Sequence, residues 1–261
     1  MQHPEMSTAG SERHPTPAGL PVDQITRLTR RAALVGGLAF AIGVILHPAR
    51  DGAGVLAAGD RYAVIHDLIA FGLVLQALAL VGLYAITGAT LGPSGWRALV
   101  VALVGVVLWV AVIIGDGLGN PVLARLDPAL VHATDQGDTG TAAAGVLLAL
   151  PALLTFPTGY ASWARVLRRR GLIPGWAAAL TATGAVLYVI GALGVLVFGP
   201  TSAFVPVTES IGAVALAIGT TRLAQTAPRA AHAALGPAHH APGRSGSPAP
   251  GAATPHRQQR I

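Results

Sequence analysis

The sequence predicts an all-α fold: a six-helix transmembrane bundle with both termini in the cytoplasm and disordered N- and C-terminal tails. Three observations predict it. Hydrophobic residues make up 52% of the 261 positions and charged residues only 11%, with a mean hydropathy of +0.60, outside the range of ordinary soluble domains. Six apolar stretches, most of them long enough to cross a hydrocarbon core of roughly 30 Å, are separated by charges or by Gly and Pro breakers. The arginines between those stretches also fall unevenly on the two sides of the membrane that the stretches define.

Residues 1–26 hold Pro4, Pro15, Pro17 and Pro21 among polar residues, with no apolar period able to bury a face, and read as a disordered cytoplasmic tail. The transmembrane domain occupies residues 27–225, with spans at about 28–47, 63–87, 98–119, 142–164, 176–198 and 205–221. The first span has a short apolar run, Ala32 to Leu46, and crosses only if Arg30 and Arg31 reach back to the interface. The sixth carries Glu209 within it. Residues 226–261 include APGRSGSPAPGAATPHRQQR, a low-complexity run that suppresses helix and strand alike, and read as a second disordered cytoplasmic tail.

Orientation comes from charge. Placing the N-terminus inside puts Arg27, Arg30, Arg31, Arg97, Arg165, Arg168, Arg169, Arg170, Arg222 and Arg229 in the cytoplasm, against Arg50, Arg61 and Arg125 outside. The expected location is the cell membrane, with the lipid bilayer as the first partner. A membrane-protein partner or a second copy of the chain is left open. Thr29-Arg30-Arg31 before an apolar run has the look of a twin-arginine export signal, but five further spans argue for a membrane anchor. All 17 basic residues are arginine, scattered at helix ends and in the tails rather than clustered on a soluble domain, so nucleic acid is not an expected partner. There is no cysteine, which excludes disulfides, thiolate chemistry and sulfur-ligated metals. Trp96, Trp163 and Trp176 are expected at the cytoplasmic interface and Trp109 in mid-span.

With that topology the ionisable residues gather in the outer half. His47 closes the first span, His66 and Asp67 open the second, Asp116 and Asn120 end the third, and Glu209 opens the sixth. His132, Asp135 and Asp138 join them from an outer loop. At 100° per residue Gly105, Trp109, Val112, Asp116 and Asn120 share one stripe, and Gly36, Phe40, Gly43 and His47 another, so these polar groups face other helices. A carboxylate in hydrocarbon is costly and is normally paired, protonated or ligating. His47 and His66 therefore suit a divalent metal with Asp67, Asp116 or Glu209 as oxygen ligands, or the two faces of a haem; a small polar ligand is a third option. Structural roles compete at each position. His47-Pro48 suits a helix stop, His66 an interfacial cap, Asp67 a first-turn acid, and Asp116 in GDGLGN a turn leaving the membrane. Three functions remain: a membrane protein with an outer-half His/carboxylate site, a structural or assembly subunit with none, and a metal-assisted hydrolase at the outer leaflet.

The stretch AFAIGVILHP, a short outer loop and then IHDLIAFGLVLQALALVGLYA resembles a group of uncharacterised multi-pass actinobacterial membrane proteins. These place His-Pro after the first span and a His at the start of a Gly-rich second one. The likeness covers about sixty residues through His47, Pro48, His66, Gly72 and Gly82, and implies a membrane fold but no activity.

Overall fold

The computed structural model describes residues 21–135 and 140–234, all of whose regular structure is helical. The elements are α1 (Val22–Ile45), α2 (Gly52–Ala58), α3 (Asp60–Leu126), α4 (Pro128–Asp135), α5 (Gly140–Arg169), α6 (Gly175–Phe198) and α7 (Phe204–Ala234). Among the described residues four helices, α1, α3, α6 and α7, are long and apolar enough to cross a membrane.

The spans expected at 63–87 and 98–119 both fall in α3, which is not straight. Gly92 sits at φ 61° and ψ −155°, a conformation open to glycine alone, and Pro93 restarts the helix as a first-turn residue. The chain doubles back there. His66 packs on Gly117, Tyr62 meets Asn120, and Asp60 meets Arg125, so residues 60–91 and 93–126 run antiparallel as the two arms of a hairpin. The sequence GDGLGN, read as a turn leaving the membrane, continues as helix to Leu126. Outside the long helices, α2 and α4 close one end of the bundle through a small cluster of Val55, Tyr62, Ala124 and Val131. Helix also extends into the expected tails, since α1 begins at Val22 and α7 runs to Ala234; residues 1–20 and 235–261 lie outside the described residues.

Lipid tails are as apolar as leucine, so helices in a bilayer associate through close packing rather than hydrophobic burial. Small residues supply that packing. A Cβ on Gly72 would sit 2.5 Å from the Phe40 amide nitrogen, and one on Gly105 2.5 Å from that of Phe156, so α1 meets the first arm of α3 and α5 meets the second at backbone distance. Gly184 and Gly212 meet across α6 and α7 in the same way. Large apolar side chains point outward instead, among them Leu38, Leu78, Val107, Leu154, Ile190 and Ile211. An apolar exterior around buried Thr, Gln, His and Glu side chains is the arrangement lipid selects. Trp109 is buried and donates from Nε1 to the Tyr188 hydroxyl at 3.0 Å. Trp163, expected at the interface, is instead fully buried in the core, while Trp96 and Trp176 are exposed.

Candidate metal centre

The end of the bundle closed by α2 and α4 holds the polar side chains. Three elements deliver them. The loop after α1 carries His47 and Arg50, the first arm of α3 carries Tyr62 and His66, and the second arm carries Asp116 and Asn120. The glycine at 117 lets the arms close on each other, because a Cβ there would lie 2.5 Å from the Cβ of His66.

His66 is 1% exposed, and its Nδ1 lies 2.8 Å from the carbonyl oxygen of Tyr62, one helical turn back. A carbonyl can only accept, so Nδ1 carries a proton, and in the neutral tautomer the lone pair is on Nε2. His47 repeats the pattern, with Nδ1 donating to the Pro48 carbonyl at 2.7 Å and Nε2 bare. Burial, then the neighbouring Arg50 charge, hold the His47 pKa down to about 3, so this ring is neutral. The two bare Nε2 atoms face each other at 3.2 Å, and that of His66 also faces Asp116 Oδ2 at 2.9 Å. All three ligand atoms lie within 4.8 Å of one another.

Asp116 is itself oriented. Asn120 Nδ2 donates to its Oδ1, and the Tyr62 hydroxyl approaches both oxygens at 3.4 Å. Tyr62 also stacks on His66, with ring centroids 4.4 Å apart.

Glu209 lies outside this group. It is 2% exposed, and both its carboxylate oxygens are taken by Arg50 Nη2, at 2.8 and 2.6 Å. Burial works against the Arg50 charge, but Glu209 and then Asp116 outweigh it and raise its pKa. The pair borders a cavity of about 320 Å³, walled by His47 on one side and by Pro200, Ser202 and Pro206 on the other.

Of the six residues singled out in the sequence, the structure therefore brings together His47, His66, Asp116 and Asn120. It gives Glu209 to Arg50, and leaves Asp67 exposed, turned about 100° around the helix from His66. His132, Asp135 and Asp138 lie outside the residues whose side chains are described. Sequence reasoning missed Tyr62, which falls just before the expected second span, and Arg50, counted only as an outer charge. Tyr62 was accessible in principle, because it stands four residues before His66 and so shares its helix face.

Compared with family models, with curated proteins and with solved structures, the chain matches none.

Proposed function

We propose that the chain is a multi-pass membrane protein that binds a divalent transition metal through His47, His66 and Asp116 near its extracytoplasmic face. The hairpin at Gly92 supplies two crossings, so α1, both arms of α3, α5, α6 and α7 make six, and the arginine bias places the metal end outside. One observation carries the metal: the Nε2 atoms of two imidazoles and a carboxylate oxygen converge, while each Nδ1 meets a carbonyl, so that neutral rings turn their lone pairs on each other and on the carboxylate. Three acceptors converging around the buried His66, with His47 and Asp116 half-buried, repel unless a cation joins them.

The spacing suits zinc-like coordination. Tetrahedral bonds of about 2.0–2.1 Å put ligand atoms roughly 3.3 Å apart, against 3.2 and 2.9 Å for His66 with His47 and with Asp116, all three atoms lying within 4.8 Å of one another. The surrounding hydrogen bonds are those of a metal site, with each His donating its second nitrogen to a carbonyl and the carboxylate held by an amide. A haem is disfavoured, because ring centroids 4.7 Å apart leave no slot for a macrocycle between His47 and His66. Three protein ligands leave a fourth position open, as in sites that activate water. Glu209, tied to Arg50, is not free to serve as the base of a hydrolase, so metal binding is the reading the geometry supports best.

A second reading rests on the 2.9 Å contact between His66 and Asp116, which also suits an imidazolium that shares a proton with the carboxylate. Elemental analysis of the purified full chain, followed by titration with Zn²⁺ and Co²⁺ after chelation, separates the two. Metal binding predicts one ion per chain, lost in His47→Ala, His66→Ala and Asp116→Ala but kept in Asp67→Ala. Wild-type protein that takes up neither ion at micromolar concentration would overturn it in favour of the proton reading.

A further inference from the structure

At the opposite end of the bundle α1 and α7 enclose a second polar cavity of about 310 Å³. Arg27 and Arg30 enter it from α1, Arg229 and His232 from α7, and Asp23 is the one acid among its lining residues. The positive charges outnumber the negative. Arg30 spends one donor on the Ala224 carbonyl, at 3.4 Å, and His232 donates from Nδ1 to the Pro228 carbonyl at 2.7 Å. Arg27 and Arg229 are exposed and form no ion pair among the described residues.

An independent observation points to a ligand. Thr26 also lines the cavity, is 8% exposed, and its Oγ1 has no hydrogen-bond partner among the described residues. A buried hydroxyl left without a partner costs free energy that an acceptor in the cavity would recover. Three guanidinium groups and an unpaired hydroxyl specify an oxyanion with several acceptor oxygens, such as a phosphate.

The same seam continues towards the membrane centre as an apolar groove. Positions 27, 30, 34 and 38 of α1 are three or four residues apart, as are 218, 222, 225, 229 and 232 of α7, so each set forms one stripe. Below the arginines these stripes present Leu34, Leu38 and Ile218 to a second cavity of about 310 Å³. A free phosphate would use only the polar part. A phospholipid uses both, since its headgroup lies at the depth of the arginines and its chain at the depth of the leucines.

We propose that the α1–α7 seam binds one anionic phospholipid, its phosphate held by Thr26, Arg27, Arg30 and Arg229 and an acyl chain laid along Leu34, Leu38 and Ile218. The site rests on α1 and α7 crossing the bilayer and is independent of the metal at the other end.

The test is native mass spectrometry of the full chain in micelles doped with phosphatidylglycerol or phosphatidylcholine, with inorganic phosphate as a competitor. One phosphatidylglycerol retained per chain, with phosphatidylcholine released and phosphate a weak competitor, is the expected result. Arg30→Gln and Arg229→Gln should each weaken retention roughly fivefold, and added salt should weaken it further. Leu38→Trp, which fills the groove, should weaken phosphatidylglycerol but leave phosphate binding unchanged. Equal retention of the two lipids, or arginine variants indistinguishable from wild type, would overturn the anion pocket. Phosphate binding without lipid retention would overturn the lipid assignment. An unchanged thermal unfolding midpoint in each variant shows that the fold is intact whether or not the chain holds a metal, and keeps this outcome separate from that of the metal centre.

Discussion

Asp116→Asn distinguishes a metal centre from a shared proton by the sign of its effect. With both rings neutral and no metal, Asp116 Oδ2 and two imidazole lone pairs face one another in the wild type, and only the distant Tyr62 hydroxyl donates to that oxygen. An asparagine in the same rotamer keeps its oxygen on Asn120 and turns an NH2 towards His66 Nε2, replacing a repulsion with a hydrogen bond. One such bond is worth about 1 kcal/mol, or roughly 2–4 °C in Tm for a domain of this size. The metal-free variant should therefore be more stable than the metal-free wild type. With metal the order reverses, because a ligand at a hundred times its Kd stabilises the wild type by about 2.7 kcal/mol, and the variant has lost a charged ligand. Thermal unfolding in detergent, followed by the fluorescence of buried Trp109 and Trp163 with and without chelator, measures both arms. If His66 were instead an imidazolium paired with Asp116, the substitution would remove a charge-assisted bond and destabilise the metal-free protein by about 1.5–3 kcal/mol. That sign would refute the tautomer assignment and the metal with it.

Three further outcomes are expected. The folded His47 has its pKa lowered from 6.5 to about 3, so between those values the unfolded chain takes up a proton that the folded chain refuses. Stability should be complete above pH 6.5 and fall as pH drops towards 3, and acid unfolding of metal-free His47→Gln should show a shallower slope across that window. Gly92→Ala should destabilise by roughly 1–3 kcal/mol through backbone strain, since φ is 61° and nothing lies within 4 Å to clash; Gly72→Ala should do so through collision with α1, whereas Gly115→Ala, with open space around it, should be neutral or stabilising in thermal melts. Because the chain has no cysteine, single cysteines at exposed Ala57, Ser94 and Thr201 report topology directly: an impermeant maleimide on whole cells should label positions 57 and 201 and spare 94, and labelling at 94 would reverse the orientation.

Much of the helical layout is written in local sequence, because apolar length and glycine spacing are properties of single segments. The stripes Gly105, Trp109, Val112, Asp116, Asn120 and Gly36, Phe40, Gly43 do turn inward, as helical period alone requires, whereas His47 joins them from the loop after α1. What periodicity cannot carry is pairing between segments. Nothing local distinguishes Asp116 from Glu209 as the partner of His66; the register of the Gly92 hairpin does that, and Arg50 claims Glu209 from a loop with no period at all. Helix ends were also misplaced for a physical reason. The glycine-rich segment Gly115–Asn120 looks like a boundary to a hydropathy scan, yet it continues as helix to Leu126, with Gly117 packed on His66 of the opposing arm. Trp163 shows the reverse error, since an indole suited to the interface is equally suited to a large space in the core.

The turn at Gly92 acts as a ruler for the far end of the molecule. His66 and Asp116 stand 26 and 24 residues from it on opposite arms, close to 40 Å along each helix at about 1.5 Å per residue. Slipping one arm by a single residue would rotate the carboxylate about 100° away from the imidazole, so coordination tolerates no change in loop length. Metal affinity would thus report how the hairpin was counted during folding: a chain that turns one residue early is still apolar enough to enter the bilayer, but it turns Gly105 out of its contact with α5 together with Asp116 and cannot assemble the triad.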